Sequence, residues 1–77
     1  MTPENLNHLA IGEKAKVVSF SLPPETRQRL MEMGLTVGTE CSIVRFAPMG
    51  DPMELRVRGY HLSLRKAEAE GVFIQRL

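Results

Sequence analysis

The residues of this chain with the widest chemical range are few: His8, His61, Cys41 and a single aspartate, Asp51. A nucleophilic thiol needs a base beside it and a lowered pKa. Cys41 stands in "CSIVRF", where it alternates with Ile43 on what reads as the buried face of a strand. It is therefore expected to act as a small core hydrophobe. His61 falls on the outward face of a hairpin, opposite Arg56. A neighbouring cation disfavours the imidazolium form and does not orient the ring as a base. Metal centres need clustered ligands, and His8, Cys41, Asp51, Glu54 and His61 are scattered, with no CxxC or HxxxH spacing. The spacing argues against a dedicated internal metal site. It leaves open a surface site of one histidine and one carboxylate, or one shared between two copies. No acid–base pair presents itself, so the expectation is a non-enzymatic chain without a cofactor.

The stretch "FAPMGDPMEL" poses a second chemical question, because compact polar loops can hold phosphates. A phosphate cradle is built from backbone N–H groups of a glycine-rich loop that leads into a helix. This loop has one glycine, two prolines that remove donors, and a strand after it. Turn chemistry explains it better. Pro48 suits the second position of a type I turn and Gly50 the fourth. Asp51 can bond its own backbone and, preceding Pro52, must be extended. The result is a stiff strand-to-strand connection with Met49 at its tip. A preorganised apolar tip beside basic residues is a contact site in waiting. The expected contact residues are Met49 and Asp51 on the loop, with Arg45, Arg56 and Arg58 beside it.

Charge supports a modest basic face in this half of the molecule. Between Cys41 and Lys66 the basic residues Arg45, Arg56, Arg58, Arg65 and Lys66 outnumber Asp51 and Glu54, although the whole chain carries only +1. Barrels that bind nucleic acid without sequence preference interleave such charges with exposed aromatics. Only Tyr60 and Phe73 are placed to do so, and no nucleic-acid partner is expected.

These residues must be held by short elements. Leu6 and Leu9 suit one helical turn closing over a core edge. "KAKVVSF", Lys14 to Phe20, is rich in β-branched residues and reads as the first strand. "LPPETRQRLMEMG" is the clearest helix. Leu22 and Pro23 lie outside it, Pro24 takes the first helical position, and Gly34 ends it. Thr26, Leu30 and Met33 form its core-facing stripe. "CSIVRF" is the second strand. "MELRVRGYHLSLR" is a hairpin: a two-residue turn at Arg58-Gly59 sets Leu55 against Leu62, Met53 against Leu64 and Val57 against Tyr60. Arg56 against His61 and Glu54 against Ser63 then fall on the other face. "RKAEAE" is one helical turn stopped by Gly71. "VFIQRL" is the last strand, with Val72 and Ile74 inward.

Seventy-seven residues, 43% of them hydrophobic and 25% charged, suit one domain over residues 1–77 with a barely sufficient core. Such a size offers a working surface rather than a deep cleft. The elements describe a mainly β fold: a small, partly open β-barrel of the SH3 type with about five strands and one helix inserted between the first two. The chain opens with "MTPENLNHLA", which is no signal peptide, and no apolar run is long enough for a membrane span. One cysteine requires no oxidising compartment. A cytoplasmic location is expected.

Taken together, "RLMEMGL" on the helix, Gly38 in the following turn, "APMGDP" in the loop and "RGYHLSLRKAEA" near the end resemble the FeoA family, over roughly residues 12–75. Val37 departs from the family, which often has proline before that glycine. The resemblance implies an SH3-like barrel and a small cytosolic accessory role in bacterial ferrous iron uptake. It implies action through contact with FeoB, a membrane transporter with a cytosolic GTP-binding domain. The chain would then meet the membrane only through that partner. The alternative implied by the family is a transition-metal-binding carrier or sensor, with at most weak metal contact. Oligomeric state stays open.

Overall fold

A computed structural model describes residues 4–77. The elements run β1 (Glu4–Asn5), a 3-10 turn (Leu6–His8), β2 (Lys14–Phe20), α1 (Pro24–Glu32), β3 (Glu40–Phe46), β4 (Met53–Val57), β5 (Tyr60–Leu64), α2 (Lys66–Ala69) and β6 (Val72–Arg76). The strands form one antiparallel sheet in the order β1-β6-β2-β3-β4-β5. The sheet is open, because β1 and β5 do not pair. Six strands stand where the sequence suggested about five. The extra one, β1, sets Glu4 against Ile74 and Asn5 against Phe73. Its two residues have no strand preference of their own and are templated by β6.

Inward residues of every long strand meet in one core. Ala15 and Val17 of β2, Cys41 and Ile43 of β3, Met53, Leu55 and Val57 of β4, Leu62 and Leu64 of β5, and Val72 and Ile74 of β6 are all buried. Leu6 and Leu9 close one edge, as their spacing suggested. Two bulges bend the sheet around this core, with Val18 and Val44 as the extra residues. The second bulge has a direct effect on the surface. Strict alternation after Cys41 and Ile43 would turn Arg45 inward. The bulge at Val44 turns it out, opposite Glu54.

Helix α1 begins where the prolines dictate. Pro23 is extended at the N-cap (φ −55°, ψ 146°) and Pro24 is the first helical residue. Leu30 is fully buried, with Met33 packed against the core. The helix ends in a Schellman motif. Gly34, at φ +99°, donates to the Met31 carbonyl at 3.0 Å, and Leu35 donates to the Leu30 carbonyl at 2.9 Å. The hairpin register is the one read from the sequence at all five pairs, from Val57–Tyr60 to Met53–Leu64. Its turn places Arg58 at φ 49° and Gly59 at φ 89°, the two positive φ values of a type I′ turn. Helix α2 is the single turn expected before Gly71.

Candidate functional site

The loop between β3 and β4 is built as a closed turn. Gly50 donates to the Ala47 carbonyl at 2.7 Å across Pro48 and Met49, and Ala47 donates to the Pro52 carbonyl at 2.9 Å. The Asp51–Pro52 peptide is cis. Met49 projects from the tip with 92% of its surface exposed. Asp51 departs from expectation. Its Oδ1 does not bond locally but accepts the backbone N–H of Lys66 at 2.9 Å. Lys66 is the first residue of α2, whose N–H has no partner within so short a helix. The carboxylate thereby ties the loop to α2 and stiffens the base from which Met49 projects.

Beside the loop, Glu54 joins two neighbours. Arg45 Nε donates to Glu54 Oε2 at 2.8 Å, and His61 Nδ1 lies 3.0 Å from Glu54 Oε1. His61 was expected to face Arg56. The two are register partners, but the imidazole turns along its own face to the carboxylate. Arg56 and Arg58 are exposed and lie toward the opposite end of β4, around a shallow cavity of about 170 Å³ that they share with Lys14 and Glu40. The five residues expected in one contact surface therefore fall in two groups. Met49, Asp51 and Arg45 gather at the loop end. Arg58 sits in the β4–β5 turn, with the length of a five-residue strand, roughly 17 Å, between that turn and the loop, and Arg56 lies between them, one outward position from Glu54.

Cys41 is 4% exposed, and burial pushes its thiol up to about 11. At neutral pH it is a protonated core group, as its place in the strand suggested. Among the described residues no three of the His, Cys, Asp and Glu side chains converge. Glu54 and His61 supply two donors, and Arg45 holds the same carboxylate. These residues do not fit a resident metal centre. Among the described residues no helix is long and apolar enough to cross a membrane.

Three anchors were not legible in the sequence. The Tyr60 hydroxyl donates to the Met33 carbonyl at the end of α1. Arg29 pairs with Glu68, joining α1 to α2. Arg76 donates to Glu4 (2.7 Å), Glu13 (2.5 Å) and the His8 carbonyl (2.9 Å), fastening the last strand to the first turn. The bond to Glu4 is the main cause of the upward shift of the Arg76 pKa. All three pair residues far apart in sequence, where spacing carries no signal.

A short-stranded antiparallel sheet bent around one core, with an inserted helix and a stiff exposed loop, defines a small SH3-like domain. The chain belongs to the FeoA family: residues 4–76 match the FeoA domain model. It is 45% identical to a FeoA-like protein from Clostridium acetobutylicum, with a TM-score of 0.87 over 100% of this chain and 91% of that one. A FeoA from Stenotrophomonas maltophilia, solved in complex with zinc and described as an SH3 domain protein, is 28% identical with a TM-score of 0.78, over 94% of this chain and 89% of that one. A Fe(2+) transport protein A/Fe(2+) transporter FeoB fusion protein of Porphyromonas gingivalis is 31% identical over 70 residues. That match takes in 91% of this chain but only 8% of the fusion protein.

Proposed function

We propose that this chain is a non-enzymatic, cytoplasmic accessory protein of bacterial ferrous iron uptake that docks on the cytosolic part of a FeoB-type GTP-binding transporter. The observation that carries the reading is the Porphyromonas relative, in which a domain like this one is joined to the transporter in one chain. Covalent linkage supplies by effective concentration what a separate subunit must supply by affinity. The contact surface is the loop end: Met49 as the apolar tip, Asp51 as its brace and Arg45 as a flanking cation. Arg56 and Arg58 form a second, outlying part of the same basic face. The expected outcome is co-purification of this chain with the transporter from the same organism, reduced when Met49 is changed to Glu. Undiminished co-purification of that variant removes the loop from the account.

The zinc complex of the Stenotrophomonas relative favours a second reading, binding of a transition metal. Here it would fall to His61 and Glu54, whose two donors suit a weak surface ion. Anaerobic calorimetry with Fe²⁺, run beside Zn²⁺, separates the readings. Tight binding that disappears in His61→Ala supports a carrier or sensor. Absence of heat at tens of micromolar protein dismisses a tight site.

A further inference from the structure

The sheet ends at β5. β5 pairs with β4 on one side and with no strand on the other among the described residues. The two-residue turn makes Val57 and Tyr60 the hydrogen-bonded pair that closes the hairpin. Tyr60, Leu62 and Leu64 therefore direct their backbone groups to β4. His61 and Ser63, both exposed, turn theirs to the free edge. Helix α1 lies near this strand through the Tyr60–Met33 bond, yet no backbone hydrogen bond joins the two among the described residues. Free edges are ordinarily blunted by lysine, proline, a bulge, extreme shortness or a helix or loop laid over them. Here α1 approaches through side-chain contact alone among the described residues. The five residues "YHLSL" contain no lysine or proline, and their pairing with β4 has no bulge.

The charge beside this edge says what it would accept. At its Ser63–Arg65 end a cavity of about 370 Å³ opens, lined in part by Arg29, Asp51, Arg65 and Glu68. Both carboxylates are already engaged. Asp51 accepts from the Lys66 N–H, and Glu68 accepts from the Arg65 N–H and pairs with Arg29. The exposed Arg65 guanidinium has no ion-pair partner among the described residues. The lining charges sum to zero; of these four residues Arg65 and Asp51 are the two outside an ion pair among the described residues, and of the two Arg65 is the one that takes a carboxylate. Asp51 also belongs to the Met49 loop, so cavity and loop are continuous.

We propose that the free edge of β5 takes an extended segment of a partner protein by strand addition, with a carboxylate of that segment seated on Arg65. The proposal rests on the docking reading above and specifies how the contact is made. Main-chain bonds to His61 and Ser63 supply the pairing, and the charged cavity fixes the register.

The test measures binding of the intact chain to the cytosolic part of the FeoB-type transporter of the same organism. Ser63→Pro removes an outward N–H at a place where edge strands tolerate proline, and circular dichroism checks its fold. Arg65→Glu reverses the charge of an exposed side chain in the cavity and serves if the proline variant does not fold. The expected result is binding weakened at least about tenfold in each variant, the scale of one or two lost hydrogen bonds. Amide exchange at His61 and Ser63 in the wild type should slow in the complex. Wild-type binding with folded variants unaffected and exchange unchanged overturns strand addition and leaves docking standing. Failure of the wild type to bind overturns the docking reading and this proposal with it.

Discussion

Cys41 shows how one residue's surroundings settle its chemistry. The folded protein holds the thiol proton to about pH 11, whereas the unfolded chain releases it near 9.0. Between those values the unfolded state has lost a proton that the folded state keeps, so stability falls as pH rises; below 9 the group contributes no slope. Cys41→Ala lacks this dependence. The stability difference between wild type and variant should therefore narrow by about 2–3 kcal/mol from pH 8 to pH 11, measured by urea denaturation. Cys41 was legible from two letters, its alternation with Ile43. Asp51 was not. Local turn chemistry accounts for an aspartate before proline, and nothing in the sequence marks Lys66, fifteen positions on, as the donor it holds. His61 was misjudged for a related reason. Register correctly set it opposite Arg56, but a side chain on a pleated face also reaches diagonal neighbours, and the carboxylate of Glu54 outcompetes a cation.

Elements were the most legible level, wherever a pattern bound both of their ends. The two prolines and Gly34 delimited α1, and the alternation of "MELRV" against "YHLSL" fixed the hairpin. What escaped were features that depend on a partner element: the two-residue β1, templated by β6, and the bulge at Val44 that turns Arg45 outward. Two substitutions test the observed element ends. Arg58 occupies a left-handed position that asparagine adopts more readily, so Arg58→Asn should stabilise the hairpin by about 0.5–1 kcal/mol, read as a rise in Tm. At the helix end, a Cβ on Gly34 would meet both a left-handed backbone and the Tyr60 hydroxyl. Gly34→Ala should cost roughly 2 kcal/mol, and less in a Tyr60→Phe background, where the obstructing oxygen is gone. Equal costs in the two backgrounds would show that the hydroxyl does not crowd that glycine.

At the scale of the whole molecule, every long strand contributes to one core, and chemistry-bearing side chains are few and spread over the surface. The SH3-like class followed from strand count, hairpin register and the inserted helix. The spread of the surface residues did not, because distance along a strand separates residues that composition groups together: Arg58 stands at the far end of β4 from the loop, with Arg56 between. The docking proposed above rests on the loop end meeting a FeoB-type transporter. Met49 is almost fully exposed, so Met49→Glu should change stability by no more than about 0.5 kcal/mol. The most direct measurement is the Kd of the wild-type chain and of Met49→Glu for the cytosolic part of the transporter from the same organism, with the melting temperature of each checked in parallel. Docking through the loop gives saturable wild-type binding, weakened at least about tenfold by the substitution at unchanged Tm. Equal affinity of the two chains, or no binding by either, would contradict it.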